Sequence, residues 1–156
     1  GISKGDRMDW VIQKATELGV NKIQPLLTNR VDTKLNASRE EKKMEHWQSV
    51  AISACEQCGR SVIPKLSHPI KITDWLSETR DTLKLVLEPS GKTLKNLNSE
   101  LDHPPKKIDL LIGPEGGFTQ EEIEHAVKKN YFTLSLGPRI LRACLVFTRL
   151  CSVLEE

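Results

Sequence analysis

Several features that mark particular classes of protein are absent from this 156-residue sequence. There is no apolar run near the roughly 20 residues that a membrane-spanning helix needs, and no signal-like amino terminus. Four cysteines in a charged chain without a secretory signal indicate reduced thiols rather than a disulfide framework. A net charge of +2 allows a nucleic-acid partner without arguing for one. We therefore expect a globular cytoplasmic protein with reduced thiols.

Familiar nucleotide and metal motifs are also absent. The chain has neither the GxxxxGK[ST] pattern nor the GxGxxG pattern of phosphate-binding loops. Cys55 and Cys58 have CxxC spacing, but they fall on the apolar stripe of a predicted helix and no second pair lies close by. We predict that both are buried thiols rather than zinc ligands. The histidines are scattered and predict neither a metal site nor a catalytic triad: His46, His68, His103 and His125.

What the sequence does contain is an alternation of helical and strand patterns. Apolar residues at helical spacing predict one helix from Met8 to Leu18, ended by Gly19, and a second from about Ser38. A short helix at 73–78 should be capped by Thr73. A capping-box pattern, Thr119 with Glu122, should open a helix that runs to Lys129, and a last apolar helix should start near Ala143. Strands are predicted at 22–27, 82–89 (stopped by Pro89), 107–113 and 131–137.

This alternation predicts an α/β fold with a mostly parallel sheet and helices on both faces. The continuous aliphatic run Leu110, Leu111 and Ile112 is typical of a strand that is covered on both sides. The whole chain, residues 1–156, is interpreted as one domain.

Two glycine-containing loops each follow a predicted strand. One is the segment 113–117, with the sequence GPEGG, and the other begins at Gly137 with the sequence GPR. In open α/β sheets ligands bind outside the carboxyl ends of the strands, so both loops should lie at the ligand-binding edge. Their bare backbone could hold an adenine edge or a ribose. The alternative is that both are simply tight turns.

Four blocks of this sequence resemble the ribosomal RNA uridine-N3 methyltransferases, which are knotted enzymes of the SPOUT superfamily. The blocks are KGDRMDWVIQKATELGV (4–20), EQCGR (56–60), LLIGPEGGFT (110–119) and LSLGPRILR (134–142). The resemblance implies a C-terminal trefoil knot, S-adenosylmethionine bound in the knot, and a homodimer. It also implies methylation of N3 of a uridine in 16S (small-subunit) ribosomal RNA.

The resemblance, together with the glycine loops, assigns candidate roles to individual residues. The candidate catalytic residues are Glu115, Arg139 and Arg142, the carboxylate and cations closest to the loops. The candidate RNA-binding residues are Arg7, Arg30 and Arg60, for which surface salt bridges are the alternative. The candidate cofactor-binding residues come from the two loops and a neighbouring strand: Leu87, Ile112, Gly113, Pro114, Glu115, Gly116, Gly117, Leu136, Gly137, Ile140 and Leu141.

The sequence departs from the family in two places. The family's amino-terminal PUA-like RNA-binding domain has no counterpart in this chain, which we interpret as a fragment of a longer protein. After Arg142 the chain reads ACLVFTRLCSVLEE, where the family continues with a Thr-Glu-Thr-Ala run. Two alternatives therefore stay open: a module that binds cofactor or RNA without turnover, and another kind of nucleotide-binding α/β enzyme.

The carboxyl-terminal segment also predicts how the homodimer would form. Between residues 145 and 154 there is hardly any polar face, and a helix that is apolar all round must be buried on every side. One side can pack on its own sheet, which leaves the other for a second copy. The apolar residues are Leu145, Val146, Phe147, Leu150, Cys151, Val153 and Leu154.

Overall fold

The computed structural model describes residues 1–30, 37–93, 96–97 and 105–137. Its helices alternate with strands, as the sequence predicts. The helices are α1 (Arg7–Glu17), α2 (Ala37–Cys58), α3 (Ile72–Ser77) and α4 (Gln120–Lys128). The strands are β1 (Lys22–Ile23), β2 (Leu26–Leu27), β3 (Lys65–Leu66), β4 (Ile70–Lys71), β5 (Leu83–Thr93), β6 (Ile108–Leu111) and β7 (Phe132–Ser135).

Every strand pairing found among the described residues is parallel. Strand β1 pairs with β3, and β2 pairs with β4. The largest sheet has the order β6-β5-β7, with β5 in the centre. The prediction of an α/β fold with a mostly parallel sheet is confirmed.

The central sheet is covered on both faces because the side chains of its strands alternate between two clusters. Val86 and Leu111 join a buried cluster with Trp75 of α3 and Ile123 of α4. Their strand neighbours, such as Leu85, belong to a second cluster. This arrangement explains the unbroken aliphatic run in the sequence, because a strand buried on both faces needs apolar residues at every position.

Helices α1 and α2 pack against each other around a third cluster. Ile12 of α1 and Trp47 and Ala51 of α2 are all almost fully buried there. On the surface, Asp9 Oδ2 lies 2.6 Å from His46 Nε2 and links the same two helices. The helix-terminating role predicted for Gly19 fits its left-handed backbone, with φ of +84°.

Several local predictions were wrong in detail. The predicted strand at 22–27 is two short strands, because Pro25 cannot donate a ladder hydrogen bond. Thr73 lies inside α3, whose N-cap residue is Lys71. Pro89 interrupts the pairing of β5 with β7 but does not stop the strand, which re-pairs at Lys92 and Thr93. Cys55 is buried as predicted, whereas Cys58 at the end of α2 is exposed.

The predicted helix from Ala143 and the predicted knot involve residues that lie outside the described ranges. Within those ranges, no helix is both long and apolar enough to cross a membrane.

Candidate active site

The carboxyl ends of the three central strands bring predicted cofactor residues to one edge of the sheet. Val86 pairs with Leu111 and Leu87 pairs with Leu134, so β5 separates the ends of β6 and β7. Neighbouring strands lie about 4.8 Å apart, which places the two flanking strand ends roughly 10 Å from each other. The GPEGG segment leaves this edge from β6, and Leu136 and Gly137 leave it from β7.

The segment 113–117, hereafter the glycine loop, is a compact turn. The Gly117 amide donates a hydrogen bond of 2.8 Å to the Pro114 carbonyl oxygen, and Gly117 has φ of +68°. A Cβ atom on Gly113 would lie 3.2 Å from the Gly117 Cα atom, so a side chain there would crowd the backbone on the far side of the turn. The buried side chains of Pro114 and Phe118 anchor its two ends.

Glu115 projects from the glycine loop towards the beginning of α1. Its Oε1 atom accepts hydrogen bonds from the Lys4 amide at 3.1 Å and from Arg7 Nη1 at 3.0 Å. Partial burial alone would raise the pKa of the Glu115 carboxyl. The hydrogen bonds from its own backbone amide, Arg7 and Lys4 outweigh that effect and hold the pKa below its ordinary value. Glu115 is therefore an anion at neutral pH.

Arg30 contacts the glycine loop from the segment that follows β2. Its Nη1 atom donates to the Gly116 carbonyl oxygen at 2.5 Å. A Cβ atom built on Gly116 would lie 3.4 Å from Arg30 Cβ, so the Arg30 side chain passes close to the Gly116 backbone.

The buried carboxylate of Glu122 links the segment that follows β2 to the residues that follow the glycine loop. Glu122 Oε1 accepts from the Asn29 amide and Oε2 accepts from the Thr119 amide, both at 2.8 Å. The Thr119 hydroxyl in turn accepts from the Glu122 amide, which completes the predicted capping box. The capping-box pattern identified Glu122, but no local signal indicates Asn29, because the two residues are 93 positions apart.

Arg60 is placed differently from the other two arginines predicted to bind RNA. Its guanidinium donates to the carbonyl oxygens of Thr16 at 2.8 Å, Val20 at 2.8 Å and Gly19 at 3.3 Å. These carbonyls lie at or just beyond the carboxyl end of α1, where helix acceptors lack a full set of backbone partners. The Thr16 carbonyl also accepts from the Gly19 amide, so Arg60 adds a second donor there. Its RNA-binding role stays a prediction.

The structure thus brings Arg7, Arg30 and the glycine loop together and leaves Arg60 elsewhere. Arg139, Ile140, Leu141 and Arg142 lie outside the described residues. Among the described residues, no group of three or more His, Cys, Asp or Glu side chains could hold a metal ion.

Comparison with known proteins identifies the family to which this arrangement belongs. A family model described as an RNA methyltransferase domain matches residues 1–154. The chain belongs to this RNA methyltransferase domain family. It is similar to the Ribosomal RNA small subunit methyltransferase E of Buchnera aphidicola, with 40% identity over 142 residues, 90% of this chain and 56% of the relative. The protein of the same name from Bacillus subtilis is 36% identical over 148 residues, 91% of this chain and 58% of the relative.

Two solved structures of methyltransferases are also similar to this chain. A Legionella pneumophila protein described as a methyltransferase, in complex with the cofactor SAM, has a TM-score of 0.89 and 43% identity. A Neisseria gonorrhoeae Ribosomal RNA small subunit methyltransferase E bound to S-adenosyl methionine has a TM-score of 0.89 and 33% identity. In both cases 99% of this chain and 62% of the other are covered. The chain spans a little over half the length of the two curated relatives.

Proposed function

We propose that this chain is the cofactor-binding and catalytic domain of an S-adenosylmethionine-dependent methyltransferase that acts on N3 of a uridine in 16S ribosomal RNA. The observation that carries the proposal is the glycine loop at the sheet edge, in a chain whose family model is an RNA methyltransferase domain. Relatives named Ribosomal RNA small subunit methyltransferase E support the choice of RNA.

The residues present fit such a cofactor. The three glycines of the loop offer backbone without side chains, and a Cβ atom on Gly113 would crowd the Gly117 Cα atom at 3.2 Å. Bound S-adenosylmethionine supplies the methyl group from its sulfonium. The proposed binding residues are those of the glycine loop with Leu87, Ile112, Leu136, Gly137, Ile140 and Leu141.

The protein must also deal with the proton on uridine N3, because this imide nitrogen is protonated at neutral pH. Arg139 and Arg142 would stabilise the uridine anion that remains when N3 gives its proton to water. Glu115, with its lowered pKa, is a weak base. It contributes instead by orienting the glycine loop. Much of the acceleration in a methyl transfer of this kind comes from positioning the two reactants.

The RNA would be held through phosphate contacts of Arg7, Arg30 and Arg60, so binding by this chain alone should weaken steeply as salt is added.

The proposal further includes a C-terminal trefoil knot, a cytoplasmic location and a homodimer built on the apolar segment 145–154. Light scattering tests the homodimer: a monomer mass at micromolar concentration would contradict it.

Two measurements test the proposed activity. Isothermal titration calorimetry should show that S-adenosylmethionine binds this chain more tightly than ATP or NAD does. Incubation with unmethylated small ribosomal subunits and labelled cofactor should then place a methyl group on uridine N3. Equal affinity for S-adenosylmethionine, ATP and NAD would reject the cofactor assignment. Binding without methyl transfer, while a longer relative methylates the same subunits, would identify this chain as a binding module.

A further inference from the structure

The glycine loop is contacted by two arginines that come from distant parts of the chain. Arg30 reaches it from the segment after β2, 86 residues earlier, and Arg7 reaches it from the first turn of α1, 108 residues earlier. Building on the proposed function, we infer that Arg30 and Arg7 are positioning residues, which hold the glycine loop in the shape that receives the methyl donor.

Arg30 acts on the backbone of the loop itself. The hydrogen bond from its Nη1 atom to the Gly116 carbonyl fixes the orientation of the peptide between Gly116 and Gly117. That peptide lies inside the turn closed by the Gly117 amide and the Pro114 carbonyl. Its orientation decides which backbone groups of the loop face a ligand.

The backbone next to Arg30 is itself held in place by hydrogen bonds. Its neighbour Asn29 donates its amide to Glu122, and the same carboxylate accepts from the Thr119 amide just after the loop. Glu122 is only 6% exposed, so these hydrogen bonds are well shielded from water. Arg30 therefore spans a short distance between two anchored segments, and its contact constrains the loop rather than following its motion.

Arg7 acts on the loop through the Glu115 carboxylate. The carboxylate is also held by the Lys4 amide, so two donors from the same stretch of chain converge on one side chain. Both groups of the ion pair are accessible, with 60% of the Arg7 side chain and 34% of the Glu115 side chain exposed. The Arg30 contact is exposed as well, but it is made to the backbone of the loop, whereas Arg7 acts only through the Glu115 side chain. We therefore expect a smaller effect from Arg7 than from Arg30.

A loop with three glycines in five residues needs such contacts more than an ordinary loop does. Glycine has more backbone freedom than any other residue, so an untied loop would sample many conformations. For a ligand that needs one conformation, the apparent dissociation constant then rises in inverse proportion to the population of that conformation. The Arg30 and Arg7 contacts keep the loop mostly in one conformation. Removing the Arg30 contact should therefore lower cofactor affinity about tenfold.

The experiment measures S-adenosylmethionine affinity by calorimetry in the absence of RNA. We expect Arg30→Ala to raise the dissociation constant about tenfold, Arg7→Ala to raise it about threefold, and Arg30→Lys to recover part of the loss. Lys42→Ala removes the same charge from an exposed site on α2, and its affinity should match the wild type. Amide hydrogen exchange should accelerate at Gly116 and Gly117 in Arg30→Ala.

The outcomes separate this inference from the proposed function. If the wild-type chain binds the methyl donor and Arg30→Ala binds it equally well, without faster exchange in the loop, the inference is overturned and the function stands. Weakened RNA binding as the sole effect of Arg30→Ala would also overturn it. If the wild type does not bind the methyl donor, the proposed function fails. The exchange rates at Gly116 and Gly117 in Arg30→Ala then still test whether Arg30 holds the loop. Should Arg30→Ala not fold, Arg30→Lys gives the same comparison.

Discussion

At the scale of single residues, the charge of Glu115 is set by its neighbours. Burial raises the pKa of its carboxyl, and the hydrogen bonds from its own amide, Arg7 and Lys4 lower it further than burial raises it. We expect a carboxyl titration followed by NMR to give a pKa below 4.5, its ordinary value, in the folded chain. Arg7→Ala should move the pKa upward, because it removes one donor to the charged form.

The lowered pKa of Glu115 determines whether this residue stabilises the fold more at high or at low pH. A carboxyl with a pKa lowered by folding contributes stability above its unfolded pKa, and the contribution disappears as pH falls through the folded pKa. The unfolding free energies of wild type and Glu115→Gln should therefore differ at pH 7 and converge on acidification. The difference should stay below about 1 kcal/mol because the pair with Arg7 is accessible. A gap that widens on acidification would contradict the assignment.

Gly91 permits a close approach of two strands. A Cβ atom at this position would lie 2.7 Å from the Leu134 nitrogen and from the Thr133 carbonyl carbon of β7. Backbone cannot move away as a flexible side chain can, so Gly91→Ala should lower the free energy of unfolding by about 1–3 kcal/mol. Chemical denaturation measures this. The exposed neighbour Ser90 provides the control, since Ser90→Ala should lose far less. Equal midpoints for wild type and Gly91→Ala would mean that β7 does not pack as described.

At the scale of elements, the carboxyl end of α1 depends on Arg60. Its guanidinium pairs with three carbonyl groups near that end, those of Thr16, Gly19 and Val20. Removing a charged donor from such carbonyls costs about 1.5–3 kcal/mol, so Arg60→Ala should lower the unfolding free energy by that order. Arg60→Lys should recover part of it, because an ammonium can reach one carbonyl but not bridge three. Unchanged thermal stability of Arg60→Ala, with loss of RNA binding, would favour the predicted RNA contact instead.

Elements whose signals are local were predicted from the sequence. The left-handed Gly19 after α1 and the capping box of Thr119 and Glu122 each depend on a few consecutive residues. Predictions failed where tertiary contacts override the local signal. Thr73 resembles an N-cap, yet α3 begins one residue earlier, where Ile72 becomes buried in the core. Pro89 resembles a strand end, yet β5 meets β7 again beyond it.

In the candidate site, too, the features with a local signal were predicted from the sequence and the tertiary contacts were not. Glycines that follow aliphatic runs identified the glycine loop, because bare backbone at a strand end is visible in the sequence. The partners of that loop were not visible, since Arg30 and Arg7 reach it across 86 and 108 residues. The sequence suggested RNA for both arginines. Only the folded chain brings their guanidinium groups to Gly116 and Glu115.

At the scale of the whole molecule, one polar network joins the amino ends of the central strands, opposite the glycine loop. Arg80, which precedes β5, donates from Nε to Asp109 of β6 at 2.6 Å and from Nη2 to the Tyr131 hydroxyl at 3.2 Å. The Trp75 indole donates to the same hydroxyl at 3.1 Å, and the Arg80 guanidinium lies 3.6 Å from the centre of its ring. These contacts tie α3 to the starts of all three strands.

The Tyr131 hydroxyl is the acceptor at the centre of this network. Tyr131→Phe would leave the buried Trp75 indole without its partner, and we expect unfolding to become easier by about 1–3 kcal/mol. For a chain of this length, the melting temperature should fall by about 2–4 °C for each kcal/mol. Trp75→Phe in the same background should cost less than it does in the wild type, because the two changes remove one hydrogen bond. Full additivity would argue against that bond.

Titration of Tyr131 tests the same network without any substitution, because it is the only tyrosine in the sequence. Burial raises the pKa of its hydroxyl above 10, although the hydrogen bond from Arg80 offsets part of the rise. A pKa raised by folding means that the stabilisation is complete below pH 10 and is lost as pH rises through the folded pKa. Tyrosinate absorbance should therefore appear at higher pH in the folded chain than in denaturant. Identical titration curves in both states would place Tyr131 in water and disprove the network.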